Sequence, residues 1–212
     1  MRNILNTIIF DWSGTISDDR YPVYEANKRV LRNYKIELNP FEEWIKTTNG
    51  SIVSYVKSLG IEACPEEILS SYKVSYNQVV NEGLAPKSYE DAVSIISSLK
   101  KNNKILAVVS SHPQFNLEKE AKTYGLENFF EIIKGDSLDK PLHLTQIIEA
   151  TQAVPQRTIY IGDMVQDIEA ATKAKINCAV VATGYHSRER LEKANPSLGV
   201  FESLTELSQI LI

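Results

Sequence analysis

The amino-acid sequence predicts an α/β fold, a doubly wound parallel sheet with an all-helical segment inserted into it. Three observations carry the prediction. From Ser88 onward, short apolar runs alternate with stretches of helical period, the texture of strand–helix–strand units. One further run, Ile8-Ile9-Phe10, stands apart and precedes a stretch from Arg20 to Gly83 whose periodicity is helical throughout. The apolar runs also end in polar residues, as parallel strands do where they carry side chains to a ligand beyond their carboxyl ends.

The first run is long enough only for a buried strand, and it delivers Asp11-Trp12-Ser13-Gly14-Thr15. Gly14 lets the backbone of that turn approach a ligand closely. Pro22 suits the first turn of a helix whose inner face holds Val23, Ala26, Val30, Leu31 and Tyr34. After Pro40-Phe41 a short helix covers Glu42 to Lys46, and Asn49-Gly50 signals a turn. Ile52, Val53, Val56 and Leu59 form the next face, which Gly60 stops. Pro65 opens a helix with Ile68, Leu69, Tyr72, Tyr76, Val79 and Val80 inward, stopped by Gly83. No strand is expected in this segment.

Ser88 is expected to cap a helix carrying Ala92, Ile95, Ile96 and Leu99. Strands are expected at Ile105 to Val109, Phe129 to Ile133, Thr158 to Ile161 and Asn177 to Ala182. Between them lie helices with Leu117 and Ala121 (ending at Gly125), with Leu144, Ile147 and Ile148 after Pro141, and with Ala170, Ala171 and Ala174. Ser203-Leu204-Thr205-Glu206 reads as a capping box before a last helix. The predicted organisation is a discontinuous core over 1–17 and 84–212 with a helical domain over 18–83.

The bulk composition suits one soluble domain with a modest insertion: 212 residues, 43% hydrophobic and 24% charged. A net charge of −4 favours neither nucleic acid nor an anionic membrane as partner. Cys64 and Cys178 lie far apart and form no metal-type spacing. Cys178 sits in an apolar run, so a buried free thiol in a reducing compartment is expected rather than a disulfide. The N-terminal apolar run is too short for a signal peptide. No stretch approaches the roughly 20 apolar residues that span a bilayer. A cytoplasmic protein is therefore expected.

Parallel strands end on one edge, so their terminal residues should converge. These are Asp11-Trp12-Ser13-Gly14-Thr15, Ser110-Ser111-His112-Pro113, Asp139-Lys140-Pro141 after the third strand, and Gly162-Asp163-Met164-Val165-Gln166-Asp167. Asp11, Asp163 and Asp167 offer hard oxygen ligands suited to Mg²⁺. Lys140 adds a fixed positive charge and Ser110 a hydroxyl, with Ser111 its rival because one residue of register changes the face. A cation, a lysine and short donors around one carboxylate make a phosphoryl site. The carboxylate can then attack phosphorus and become an aspartyl phosphate.

In these motifs the chain resembles the haloacid dehalogenase superfamily of phosphohydrolases, over nearly its whole length. The resemblance implies a Rossmann-like core with a helical cap and a Mg²⁺ cofactor. It makes Asp11 the nucleophile, Ser110 and Lys140 the phosphoryl-binding groups, and Asp163 and Asp167 metal ligands. The main-chain carbonyl of Ser13 would complete the metal set. Gly184-Tyr185 and the Ser203-Leu204 helix start are similar to the phosphoglycolate-phosphatase-like branch. The implied partner is a small phosphorylated metabolite.

One position departs from the pattern. Most family phosphatases carry a second Asp two residues after the nucleophile as general acid and base, and Ser13 stands there instead. Such help is worth roughly 10²–10⁴-fold, so slow turnover is expected. Two other readings stay open: phosphonoacetaldehyde-type C–P cleavage, whose cap lysine has no match near Gly50, and a phosphate-binding regulatory module with weak turnover. Gly14, Thr15, Asp18, Ser111 and His112 are candidate substrate contacts. Thr15 also suits a role in fixing the turn, and Asp18 in capping the next helix. Lys46, Thr48 and Asn49 occupy the cap turn that faces substrate in such proteins. Trp12 is expected between cap and core, and His186 and Arg188 at the surface.

Overall fold

The computed structural model describes residues 5–211. They form two compact units, one over 5–18 and 88–211, the other over Asp19–Lys87.

The first unit is the α/β core. Its sheet is built on β1 (Thr7–Phe10), whose residues are all buried. Parallel neighbours flank it: β4 (Ile105–Val109) on one side and β6 (Thr158–Gly162) on the other. Outward lie β5 (Ile132–Lys134) beyond β4, and β7 (Asn177–Val181) then β8 (Val200–Phe201) beyond β6, all parallel. The order is β5-β4-β1-β6-β7-β8. The first strand thus sits between strands that come much later in sequence, and its C-terminal end lies at the switch point of the sheet.

Alternation along β1 divides the core into two layers. Ile8, Phe10 and Trp12 pack with α5 (Ala92–Lys101), α6 (Gln114–Thr123) and α10 (Leu204–Leu211) through Ile96, Leu99, Leu117, Ala121, Leu204 and Leu207. Ile9 packs with α7 (Lys140–Ala150), α8 (Val165–Lys173) and α9 (Arg188–Lys193) through Leu144, Ile147, Ile168, Ala171 and Leu191. Helices cover both faces, which makes the sheet doubly wound.

The second unit is helical: α1 (Arg20–Arg32), α2 (Phe41–Thr47), α3 (Ile52–Ser58) and α4 (Pro65–Asn81). Val30 and Leu31, Ile52 and Val56, and Ile68 form its apolar centre. Tyr21, Tyr24, Phe41 and Trp44 make a second cluster of tilted and edge-on rings. Leu59, expected on the inner face, is exposed because the helix ends before it.

Several local expectations are corrected. Ser88 does not cap α5; it lies in the two-residue strand β3 (Lys87–Ser88), and Asp91 is the N-cap. The matching short strand β2 (Ser17–Asp18) also went unpredicted. Asp19, not Asp18, stands at the N-cap of α1. The third sheet strand begins at Ile132 rather than Phe129, because Phe129 and Phe130 pack against the core cluster ahead of it. β8 and α9 were not foreseen; two residues of strand and six of helix give too little periodicity to detect. Both cysteines are free. Cys64 is exposed, and burial pushes the Cys178 thiol above its ordinary pKa.

No helix among the described residues is long and apolar enough to cross a membrane.

Candidate active site

The polar residues that end the sheet strands meet in the core unit. Asp11 directly follows β1 and is buried. Its Oδ1 accepts from the Trp12 N–H at 2.8 Å, and its Oδ2 accepts from Lys140 Nζ at 2.9 Å. The Ser110 hydroxyl lies near this carboxyl and favours its charged form. Ser110 is fully buried, whereas Ser111 is exposed. Alternation past β4 therefore turns Ser110, not Ser111, toward Asp11.

Lys140 is the first residue of α7, whose start is fixed by Asp139 accepting from the Leu142 N–H at 3.0 Å. From there Nζ spans Asp11 and Asp167, 2.7 Å from Asp167 Oδ1. Burial alone would lower the Lys140 pKa. The charges of Asp11 and Asp167 outweigh it, so the ammonium is held above its ordinary range.

Asp163 follows β6 and is fully buried. It accepts from the Tyr185 N–H at 2.7 Å and the Thr15 hydroxyl at 3.3 Å. Asp167 has two jobs at once. Its Oδ2 caps the start of α8 by accepting from the N–H groups of Asp163 and Met164. Its Oδ1 faces Lys140 and the Tyr160 hydroxyl.

One carboxylate oxygen from each of Asp11, Asp163 and Asp167 lies within 4.8 Å of the others, and all three residues are buried. Three carboxylates against one lysine leave negative charge in excess. Burial, against the pull of Lys140 and with the push of Asp167, raises the Asp11 pKa; burial and the charges of Asp167 and Asp11 raise that of Asp163 further. An all-oxygen donor set with surplus charge fits a hard divalent cation.

The remaining candidates fall elsewhere. Gly14 is needed for a different neighbour than expected. It has φ +74°, and a Cβ there would collide with the Asp163 carboxylate rather than with a ligand. Gly184 is constrained by the same carboxylate. Thr15 is buried, and its hydroxyl donates to Asp163. Asp18 is half-buried in β2, the last residue of the core unit. Ser13 is half-buried, and its hydroxyl lies 3.4 Å from His112 Nδ1. His112 is buried and paired through Nε2 with Glu120 at 3.0 Å, so it is not a solvated loop residue.

Trp12 belongs to the core cluster, is stacked on Tyr124, and donates its indole N–H to Glu120 at 2.7 Å. His186 is buried beneath the start of α8, where Nδ1 accepts from the Val165 N–H. Arg188 stays near the surface, paired with Glu192 and Glu202. In the helical unit Lys46 and Asn49 are exposed, while Thr48 is buried and accepts from the Gly50 N–H.

Sequence reasoning missed Tyr160 and Glu120. Tyr160 lies inside a buried strand, where nothing marks its hydroxyl. Glu120 did carry a signal: it interrupts the apolar face that Leu117 and Ala121 make on α6.

Residues 8–181 match the family described as haloacid dehalogenase-like hydrolase. Among curated proteins, the chain is 22% identical over 197 residues to the tyrosine-protein kinase PtkA of Mycobacterium tuberculosis, spanning 90% of this chain and 67% of that one. It is 24% identical over 212 residues to the pyrophosphatase PpaX of Anoxybacillus flavithermus, spanning 98% and 97%. With the phosphoglycolate phosphatase of Synechococcus elongatus it shares 21% over 194 residues, 91% of each. The solved hydrolase SP0104 from Streptococcus pneumoniae matches with a TM-score of 0.85 at 18% identity, over 100% of both chains, a likeness of fold.

Proposed function

The chain belongs to the haloacid dehalogenase-like hydrolases, and from that premise we propose that it is a Mg²⁺-dependent phosphatase of a small phosphorylated metabolite. The observation that supports this most is the meeting of Asp11, Asp163 and Asp167 within 4.8 Å, with Lys140 bridging two of them.

In this reading Asp11 Oδ attacks phosphorus. An Asp–O–P bond forms as the ester P–O bond breaks, and the leaving oxygen takes the proton of the phosphate monoanion. Water then cleaves the aspartyl phosphate and regenerates the carboxylate. Lys140 places a permanent positive charge beside the phosphoryl oxygens, and Ser110 offers them a hydroxyl. Asp11, Asp163, Asp167 and the Ser13 carbonyl would hold Mg²⁺. When bound, the ion neutralises charge between anionic nucleophile and anionic substrate. Thr15 and the Tyr185 N–H keep Asp163 in place. Ser13 cannot act as a general acid near neutral pH, so turnover is slow, by roughly 10²–10⁴-fold against an enzyme with an acid there. We assign the helical unit over 19–87 the cap's part, the choice of substrate, with Lys46, Thr48 and Asn49 as its first candidates.

A panel of phosphorylated metabolites assayed for phosphate release with and without Mg²⁺ tests the proposal. Mg²⁺-dependent release that disappears in Asp11→Asn is expected. Release indifferent to that substitution, or none from any substrate, would overturn it.

A further inference from the structure

We propose that Tyr160 is a positioning residue of this site: its buried hydroxyl braces the Asp167 carboxylate against the backbone that carries Ser110, and so sets that carboxylate for a divalent cation. This rests on the phosphatase reading and adds a residue to its metal-holding side.

Tyr160 lies in the middle of β6, opposite Ile9 of β1, and is fully buried. Its ring packs in the layer that holds Leu144, Ile168 and Ala171. β1 sits between β6 and β4, and the Tyr160 hydroxyl reaches past it to the Val109 carbonyl at 3.0 Å. Val109 is the last residue of β4 and Ser110 the next, so the phenol meets the peptide that presents the phosphoryl-binding hydroxyl. The same phenol oxygen is 3.2 Å from Asp167 Oδ1. With one hydrogen and two acceptors in reach, it shares that hydrogen between them. Lys140 Nζ completes the group, 2.7 Å from the same Oδ1 and 5.8 Å from the centre of the Tyr160 ring.

The Asp167 carboxylate is thus held at both oxygens. Oδ2 takes the N–H groups of Asp163 and Met164, and Oδ1 takes one charged donor and one neutral one. A buried carboxylate needs such donors, but every charged donor weakens the pull on an incoming cation. The phenol supplies a hydrogen bond with no formal charge. It restrains the carboxylate from turning about its Cβ–Cγ bond and leaves the negative surplus of Asp11, Asp163 and Asp167 in place. It also ties the metal side of the site to the peptide that sets Ser110 on the phosphoryl side. Tyr160 touches no substrate and acts through Asp167. Partners that hold a ligating carboxylate in this way are worth about 10–100-fold in metal affinity.

The test is calorimetric titration with Mg²⁺, without substrate, of the wild type and of Tyr160→Phe, which keeps the ring and loses the hydroxyl. The Kd for Mg²⁺ should rise about tenfold in the variant. The Mg²⁺ concentration that gives half-maximal phosphate release should rise with it, while the substrate KM at saturating Mg²⁺ keeps its wild-type value. A tyrosine that served packing alone would lower the metal-free melting temperature and leave the Mg²⁺ Kd unchanged, and that result overturns the proposal. Tyr160→Met also fills the space without a hydroxyl and should weaken Mg²⁺ binding to the same degree; a methionine variant as tight as the wild type overturns the proposal too. Asp163→Asn separates this inference from the reading beneath it. Wild-type Mg²⁺ binding that is lost in Asp163→Asn, beside an unaffected Tyr160→Phe, overturns only the part given to Tyr160. A wild type that binds no Mg²⁺ overturns both.

Discussion

Two buried polar groups adjoin Asp11, and they are balanced differently. One gathers Asp11, Asp163 and Asp167 around Lys140, with more negative charge than it can neutralise. The other gathers Trp12, Ser17 and His112 around Glu120, a single carboxylate supplied with donors at both oxygens. The carboxylates of both are buried, so burial alone does not separate them. The difference is completeness. A buried carboxylate with its donors in place rigidifies the fold; a surplus of buried carboxylates is stable only with something from outside.

The sharpest way to break this contrast is to remove one acid from each. Glu120→Ala strands the donors of Trp12, Ser17 and His112 and should lower unfolding free energy by about 3–5 kcal/mol, read by chemical denaturation. Asp163→Asn in metal-free protein should change it by no more than about 1 kcal/mol, since a lost acceptor is offset by a lost repulsion. Equal losses at the two sites would refute the distinction.

The surplus should also show in pH dependence. Burial first, then neighbouring charge, raises the Asp11 and Asp163 pKa values above the ordinary 3.8. The folded chain therefore keeps protons that the unfolded chain has released. The contribution of these two groups to metal-free stability should be greatest near and below that value and fall as pH rises through their folded-state pKa values. The slope is at most about 1.4 kcal/mol per pH unit for each proton. Added Mg²⁺ should flatten the curve. A metal-free melting temperature whose pH dependence is the same in wild type and in Asp163→Asn would contradict the charge surplus.

A more local effect is expected at Gly14. Gly14→Ala forces a side chain into the left-handed region at a cost of about 1–2 kcal/mol and displaces the Asp163 carboxylate. The melting shift should be modest, but Mg²⁺ should stabilise the variant less than it does the wild type. Unchanged Mg²⁺ stabilisation would show that Asp163 is not held by this turn.

Much of this was legible in the sequence because it is periodic or punctuated. Ile8 to Phe10 and Thr158 to Ile161 read as buried strands, and each ends in the acid that matters. The helical stretch after Arg20 announced itself through the spacing of Val23, Ala26, Val30 and Leu31. Short elements escaped, since the two residues of β8 carry no period. Side chains that act across the fold escaped as well. Thr15 was read as a substrate contact or a turn residue and His186 as surface, yet one donates to Asp163 and the other accepts from the start of α8.

The sequence by itself determined the α/β alternation, the place of the helical insertion and the acids at the strand ends, because these follow from local pattern and from the rule that parallel strands finish on one edge. Only the tertiary structure decided that Ser110 rather than Ser111 meets Asp11, that Gly14 makes room for Asp163, and that Ser13 backs onto His112 and Glu120. Those pairings join residues 99 or more positions apart in the chain, and their distances are set by how helices pack on the sheet, which no local pattern encodes.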